Sequence, residues 1–308
     1  MEVAAVPEPG RSDDFQDRVL ELLGVLEGPD GQGLLGVKGL RSVLLDLRDV
    51  LLSSAVRSRT MAHPNPLTRF GCQCFSQSDE DGITLEILRR IGLTGRGVFA
   101  EFGVGNGLQN NTLILGALGW RGMWVGDEPL AFDLSETSPD RLNFQQERIT
   151  RDNIVGLARS GLLALHAENA DVISCDLDGN DLHVVQALLE SGLKPGLFIV
   201  EYNAKFPPPV RFAIAYDADH RWQGDDYYGA SLCSFTDLFA RFGYMLVCCN
   251  AHTGTNAFFV EQRHRAHFGD VPGDVADIYV APHQHMLNRY AQRTSPRTVR
   301  RILRSTAP

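Results

Sequence analysis

The chain has 308 residues, of which 44% are hydrophobic and 22% charged, a composition ordinary for a globular protein with a sizeable core. Its net charge of −9 argues against a nucleic-acid-binding body, which would normally carry a basic surface. No apolar run approaches the ~20 residues needed to cross a bilayer. The length suits one large α/β domain with an extension, or two small domains.

Cysteine usage and the N-terminus favour a reducing compartment. The six cysteines are too few and too scattered for a disulfide framework, and Cys72 and Cys74 have no second pair at zinc spacing. The first residues lack the basic start and apolar core of a signal peptide. We therefore expect a cytoplasmic protein.

Both ends of the chain differ from its middle. Apolar residues at helical spacing follow Ser12 and recur from Leu40 to Leu51, which predicts a helical extension over residues 1–70. These helices either cap the core or form a homodimer interface. Residues 286–308 are rich in arginine and predict a solvated basic tail, with an RNA or membrane contact as the alternative. The main domain is then residues 71–285.

In the main domain, predicted helices and strands alternate. A helix begins after Ser78 and Asp79 and runs to about Ile91. Strands are predicted at 98–102, 122–125, 142–148, 172–176, 197–201, 244–250 and 256–261, and further helices at 111–118, 153–160, 182–191 and 234–241. The alternation predicts a Rossmann-like, mostly parallel α/β sheet with helices on both faces. The last two strands lie too close together for a helical crossover and should form an antiparallel edge hairpin.

The most informative segment is GVFAEFGVGNGLQNNT at 97–112. An apolar strand reaches Glu101 and enters a turn, which then opens a helix. Three glycines alternate in that turn: Gly103, Gly105 and Gly107. This arrangement makes a nucleotide-sized crevice in an open α/β sheet. The dinucleotide pattern G-x-G-x-x-G fails at Leu108, and Glu101 would repel a pyrophosphate but not a ligand with an ammonium and a sulfonium.

Acids collect where the predicted strands end. Ligands of such sheets bind at the carboxyl ends of the strands. A carboxylate just past the second strand suits a ribose diol, because it can accept from both hydroxyls. Asp127 is favoured for this role and Glu128 is next, the plain alternative being a solvated turn acid. Other polar residues at predicted strand ends are Glu101, Arg148, Asp176, Asp178, Glu201 and Asn203.

The segment 101–107 resembles motif I of the class I S-adenosylmethionine-dependent methyltransferases. The wider pattern is similar to the FkbM-type branch or a related uncharacterised branch. It spans about 75–260 through the motifs FSQSDEDGI, EFGVGNGLQNNT, GWRGMWVGDE, ISCDLDGND, IVEYNAKF and YYGASL. Relatives usually place the ribose acid where this chain has Gly126, so that the acid here stands one residue later, at Asp127.

The resemblance implies S-adenosylmethionine as cofactor and methyl transfer as activity. Glu101 and the three glycines would line the methionine and ribose end, and Asp176 would face the methionine portion. The helix beneath the cofactor would open at Asn111 and Thr112. With the strand-end residues, the predicted cofactor set is Gln77, Glu101, Gly103, Gly105, Gly107, Asn111, Thr112, Asp127, Glu128, Arg148 and Asp176.

The segment DLDGND at 176–181 invites a calcium interpretation, which fails. An EF-hand loop needs glycine at position six and glutamate at twelve, where this chain has Asp181 and Ala187. A single Mg²⁺ site remains open, because neighbouring strands lie ~4.8 Å apart and could bring oxygens of Asp176, Glu201 and Asn203 together. The alternative is that these groups bind loops or the cofactor amine.

Residues 204–230 form a long, polar and aromatic loop, which we name the lid loop, and we expect it to cover a small-molecule acceptor. The predicted acceptor residues are Asn203, Tyr216, Trp222, Tyr227 and Tyr228, although each aromatic could simply pack. A general base would come from Asp178, His183, His220 or His252.

Together these features predict methyl transfer to a small molecule, with a hydroxyl of a specialised metabolite or sugar favoured as the acceptor. Nitrogen and carbon acceptors stay open. The two rival functions are a non-catalytic cofactor-binding scaffold and an NAD(P)-dependent oxidoreductase. The missing third fingerprint glycine and Glu101 weigh against the oxidoreductase.

Overall fold

A computed structural model describes residues 56–282. The helices predicted before residue 56, with their dimer contact, and the basic tail at 286–308 lie outside the described residues. The chain divides into two compact units between Arg59 and Thr60, and the elements named below belong to the second. In the part of the chain that is described, no helix has the length and apolar character needed to span a membrane. The six cysteines are free thiols.

Helices and strands alternate as the sequence predicts. The helices are α1 (Glu80–Arg90), α2 (Leu113–Ala117), α3 (Ile154–Ala164), α4 (Asp181–Glu190), α5 (Leu232–Arg241) and α6 (Val275–Ile278). The strands are β1 (Val98–Phe102), β2 (Arg121–Gly126), β3 (Leu142–Gln146), β4 (Val172–Cys175), β5 (Leu197–Glu201), β6 (Tyr244–Cys249) and β7 (Asn256–Glu261). Two 3₁₀ helices span Pro66–Phe70 and Gln262–Phe268.

The seven strands form one mixed sheet in the order β3-β2-β1-β4-β5-β7-β6. Strands β1 to β5 pair in parallel with one another, whereas β7 runs antiparallel to both β5 and β6. This confirms the predicted mostly parallel sheet and its antiparallel edge hairpin. The hairpin joins the sheet through β7, with Glu201 opposite Asn256, so that β6 forms the edge.

Helices cover both faces of the sheet. On one face, α3, α4 and α5 pack on strand residues that include Ala100 and Phe102. On the other face, α1 and α2 pack around Phe99 and Trp124. Strand β1 is buried along its whole length, as expected of a central parallel strand covered on both sides.

The chain changes direction in the sheet between β1 and β4. From β1 it moves outward to β2 and β3, and from β4 it moves the other way to β5. In open α/β sheets, ligands bind in the crevice at such a switch point, outside the carboxyl ends of the strands. The glycine turn after β1 and the DLDG turn after β4 both lie at this place.

Candidate functional site

A cleft of about 540 Å³ opens at the carboxyl ends of β1, β2 and β4. It is lined by twelve of the residues singled out in the sequence. Those from the first half of the domain are Gln77, Glu101, Gly103, Gly105, Asn111, Asp127 and Glu128. Those from the second half are Arg148, Asp176, Asp178, His220 and Trp222. The cleft is therefore where most of the predicted cofactor residues converge.

Several other candidates lie behind this lining. Asn203 is fully buried, and its amide donates to the carbonyls of Asp226 (3.0 Å) and Tyr228 (3.1 Å). Tyr228 is itself buried. A ring nitrogen of His183 lies 2.9 Å from the carbonyl oxygen of Ile214. These contacts hold the lid loop rather than face the cleft.

Two lid tyrosines also bind their own surroundings. The hydroxyl of Tyr216 accepts from the backbone of Arg151 (3.2 Å), whose guanidinium lies 4.4 Å from the ring centre. The ring of Tyr227 packs edge-on against Phe212. Both residues therefore brace the lid loop.

Glu101 is 4% exposed and its carboxylate holds the start of α2. One oxygen accepts the N–H of Asn111 (2.8 Å), and the other accepts the N–H (3.1 Å) and hydroxyl (2.5 Å) of Thr112. Burial raises the pKa of Glu101, and the bonds from Thr112 and Asn111 offset part of that rise. Thr112 is the N-cap, so regular helix begins at Leu113, two residues later than the sequence pattern indicates.

The glycines of the turn serve different ends. A Cβ on Gly103 (φ +93°) would lie 1.6 Å from the carbonyl oxygen of Asp176, so only glycine lets β1 and β4 end this close together. A Cβ on Gly105 (φ +50°) would meet nothing within 4 Å, so its backbone borders open space. Gly107 (φ +82°) packs beside Leu130, where a Cβ would approach to 2.7 Å.

Asp127 follows β2 directly and faces the lid loop. Its carboxylate lies 3.7 Å from a guanidinium nitrogen of Arg221, and the two side chains are 47% and 70% exposed. An ion pair this exposed contributes about 0–1 kcal/mol. A ligand that binds Asp127 therefore loses little free energy by displacing Arg221 from it.

Three carboxyl groups meet at the ends of β4 and β5. Oxygens of Asp176, Asp178 and Glu201 all lie within 4.8 Å of one another. Burial, followed by neighbouring acid charges, raises the pKa of Asp176 and of Glu201 well above the usual range. Oxygens of the two groups lie within 4.8 Å of each other, so the ionisation of one opposes the ionisation of the other. Among residues 56–282, neither forms an ion pair with lysine or arginine.

Asp181 holds the turn that presents this cluster, a role that the sequence analysis missed. Its carboxylate accepts the N–H groups of Leu177 (2.7 Å) and Gly179 (2.9 Å). Burial raises its pKa to about 6, and those two bonds oppose the rise. Asp178, between them, is held at φ +50° and is exposed at the cleft. The signal in the sequence is an acid at the first position of a helix, directly after a glycine turn.

A second missed feature is a buried polar network between α1 and the β6–β7 turn. Glu80 accepts from the amides of Asn250 (3.1 Å) and Asn256 (3.0 Å), and Asp79 accepts the N–H of Ala251 (2.9 Å). Asn256 lines the cleft and is 3% exposed. Its side-chain oxygen has no hydrogen-bond partner among the described residues. It therefore offers the cleft a buried acceptor.

The lid loop is fixed over the cleft by residues that follow β3 and β4. Arg148 donates to the carbonyls of Ala218 (2.8 Å) and His220 (3.3 Å). The amide of Asn180 donates to Asp217 (2.8 Å). A Cβ on Gly179 would come within 2.4 Å of the His220 ring, so glycine allows the lid loop to lie directly on the DLDG turn.

Comparisons with known proteins give distant similarity to solved structures. No family model matches the chain, and no curated protein matches it. A precorrin-6y C5,15-methyltransferase from Geobacter metallireducens is 10% identical over 62% of this chain and 90% of that chain, with a TM-score of 0.34. A Burkholderia thailandensis 1,6-didemethyltoxoflavin-N1-methyltransferase, with S-adenosylhomocysteine bound, is 14% identical over 83% and 92%, with a TM-score of 0.35.

A further similar structure is the CurJ carbon methyltransferase, 12% identical over 81% of this chain and 70% of that chain, with a TM-score of 0.35. The named methyltransferases include nitrogen and carbon enzymes. Because the likenesses are distant, the function is inferred from the residues of the cleft.

Proposed function

We propose that this protein transfers a methyl group from S-adenosylmethionine to a small-molecule acceptor. The observation that carries the proposal is the set of desolvated carboxyl groups at the cleft floor. The buried or partly buried carboxyl groups of Glu101 and Asp176 line the cleft, and Glu201 lies within 4.8 Å of Asp176. None of the three forms an ion pair among the described residues. Desolvated acids favour a cationic ligand and disfavour a pyrophosphate. S-adenosylmethionine carries an ammonium and a sulfonium.

The cofactor would lie along the switch point. Its methionine end would contact Glu101 and Asp176. The rest of the molecule would lie against the backbone of Gly105, which borders open space in the cleft. The ribose diol would bind Asp127 or Glu128 at the end of β2, taking the place of Arg221. The roles of Glu101 and Asp176 are those that the resemblance implies, and the role of Asp127 or Glu128 is the one expected of an acid just past the second strand.

Methyl transfer needs alignment and a dry pocket more than strong acid-base chemistry. An acceptor oxygen forms a bond to the methyl carbon while the carbon–sulfur bond breaks, and the electron pair stays on the now neutral sulfur. The proton of a hydroxyl acceptor would pass to Asp178 or His220, which both line the cleft. The lid loop would exclude water. We favour a hydroxyl acceptor of a specialised metabolite or sugar, acted on in the cytoplasm.

The carboxyl cluster suits a Mg²⁺ ion, but with Asp178 in place of Asn203 among the predicted ligands. Asp176, Asp178 and Glu201 supply hard oxygen ligands within 4.8 Å of one another, whereas the amide of Asn203 is committed to the lid loop. When bound, the ion would supply Lewis-acid activation of an acceptor oxygen. Protonated Asp176 and Glu201 would have to ionise first, so such binding would strengthen as pH rises.

Calorimetry with S-adenosylhomocysteine and with NADH tests the proposal directly. We expect saturable binding of S-adenosylhomocysteine, weakened at least about tenfold by Glu101→Gln because a charge-assisted contact is lost. The matched control is Glu136→Gln, an exposed acid outside the cleft. Binding of NADH alone would contradict the proposal in favour of an oxidoreductase.

A methyl-transfer screen with labelled cofactor against cell extract separates an enzyme from a scaffold. We expect a labelled small molecule, its formation lost in Glu101→Gln. Binding without transfer to any acceptor would favour the scaffold. Chelation of divalent ions during the same screen tests the Mg²⁺ site. If the carboxyl cluster holds an ion that activates the acceptor, chelation should abolish formation of the labelled product.

A further inference from the structure

A second cavity, of about 420 Å³, opens at the opposite edge of the sheet. Its lining comes from the starts of β1 and β2 and from the residues just before β3 and β4. Because parallel strands all point the same way, this edge is separated from the cleft by the length of the strands. We name it the arginine cavity after Arg96, Arg121 and Arg141.

The backbone fixes where these arginines stand. The N–H of Arg121 donates to the carbonyl of Gly97 (3.1 Å), and the N–H of Gly122 donates to the carbonyl of Arg141 (3.1 Å). Both arginines are thereby tied to neighbouring strands of a rigid sheet. A Cβ on Gly119, which also lines the cavity, would meet nothing within 4 Å, so the mouth is open.

The guanidinium groups keep donors for a ligand. Arg121 donates one N–H to Leu165 (2.8 Å), and Arg141 donates one to Gly116 (2.7 Å). Each guanidinium has five N–H donors, so a single backbone contact leaves most of them available. Arg96 is exposed, and within residues 56–282 none of the three arginines forms an ion pair.

The two acids of the cavity are engaged locally. Asp171 accepts the N–H of Val98 (2.8 Å), and Asp140 accepts the hydroxyl of Ser138. Three arginines and two aspartates leave the lining with one net positive charge (3 − 2 = +1), on a chain whose net charge is −9. This local excess of positive charge favours an anionic ligand.

We propose that the arginine cavity binds the phosphate group of a phosphorylated small molecule. The planar guanidinium fork matches phosphate oxygens two at a time, and three such groups around one cavity favour a dianion. The volume falls in the range of roughly 300–1,000 Å³ typical of small-molecule sites, which exceeds what a phosphate ion alone would need. The proposal does not depend on the chemistry of the cleft.

Calorimetry on the full chain with glucose 6-phosphate, inorganic phosphate and sodium chloride at equal ionic strength tests it. We expect saturable binding of glucose 6-phosphate, weakened about tenfold by Arg96→Gln and by Arg141→Gln, since each loses a charge-assisted contact. Arg96 makes no side-chain hydrogen bond that holds the fold in the described region, so its variant should fold. Arg159→Gln, exposed on α3, and Arg221→Gln, in the cleft, should leave the affinity unchanged.

Each contrary result overturns the proposal. If the wild-type chain gives no saturable heat with glucose 6-phosphate beyond that given by sodium chloride at equal ionic strength, it has no phosphate site. Equal affinity for inorganic phosphate would exclude a phosphorylated metabolite as the ligand. Loss of binding in Arg221→Gln but not in Arg96→Gln would move the phosphate to the cleft.

Discussion

Gly103 and Gly105 both have a positive φ but differ in what surrounds them. This difference predicts how well each position tolerates substitution by alanine. A methyl group at Gly103 would overlap the carbonyl oxygen of Asp176 at 1.6 Å, whereas one at Gly105 would enter open space. We expect Gly103→Ala to lower the free energy of unfolding by more than about 4 kcal/mol. Gly105→Ala should cost about 1–2 kcal/mol from backbone strain alone. Urea unfolding of both variants measures this, and equal losses would contradict the packing.

The raised pKa values of Asp176 and Glu201 predict that cofactor binding depends on pH. Both pKa values are raised, chiefly by burial, so the free pair holds a proton at pH values where ordinary carboxyls are ionised. A cationic ligand favours the ionised form and expels that proton. Affinity for S-adenosylmethionine should therefore rise with pH until the raised pKa values are passed, and level off above them.

Calorimetry in two buffers that differ in ionisation enthalpy measures the released proton. We expect a net release below the raised pKa values and none above them. In Glu201→Gln the pair has lost one acid, so the release should fall while the cleft still binds the ligand through Glu101 and Asp176. An unchanged release in this variant would assign the proton to another group.

Sequence patterns located some residues of the cleft and missed others for a physical reason. Glu101 and Asp176 were recognisable because each lies at the end of an apolar strand, and a parallel sheet brings such ends together. Asn256 gave no local signal, because it lies in β7, which is distant from β5 in the sequence and pairs with it only in the folded sheet. Asp181 was visible only as part of a failed calcium pattern, although its helix-start position indicates a capping role.

At the scale of elements, the lid loop depends on Arg148. This side chain donates to two lid carbonyls, at Ala218 and His220, from a position after β3. We expect Arg148→Ala to raise hydrogen exchange in residues 217–222 without lowering the unfolding temperature of the sheet, because the contacts are peripheral. Arg159→Ala is the control, since that arginine is exposed on α3. Unchanged exchange would show that Asn180 alone suffices to hold the loop.

Element boundaries were most predictable where turn residues bracket an apolar run. Strands β1 and β5 follow glycine, at Gly97 and Gly196, and both were predicted with the bounds observed. The start of α2 was predicted two residues early, because the carboxylate of Glu101 takes up the N–H groups of Asn111 and Thr112 ahead of the regular helix. That contact joins a strand to a helix and is invisible to periodicity.

At the scale of the whole molecule, local patterns did not show where the hairpin attaches. The sequence predicts an antiparallel hairpin at an edge, and β7 fills the place next to β5 with five pairs in register, from Leu197 opposite Val260 to Glu201 opposite Asn256. The turn of that hairpin then meets the start of α1, more than 160 residues earlier in the chain. Long-range pairing of buried acids and amides therefore joins the two ends of the domain.

Asn250 is at the centre of that junction, which predicts a pH-dependent defect when it is changed. It is fully buried, and its amide lies 3.2 Å from an oxygen of Asp79 and 3.1 Å from an oxygen of Glu80. Burial raises the pKa of both acids. Asn250→Asp puts a third acid beside them, so its own pKa should be raised in the folded chain above the unfolded value of about 3.9.

A carboxyl whose folded pKa is raised destabilises the fold increasingly as pH rises from the unfolded to the folded pKa. Relative to wild type, Asn250→Asp should therefore lose several kcal/mol near neutral pH, of the order of about 3–5 kcal/mol for an unpaired buried charge. The loss should shrink under mildly acidic conditions.

Asn250→Ala, which removes the amide without adding a charge, should lose stability by an amount that depends less on pH. Urea unfolding of the three proteins at both pH values measures this, and a loss in Asn250→Asp that does not change with pH would mean that α1 and the hairpin do not share one buried acid network.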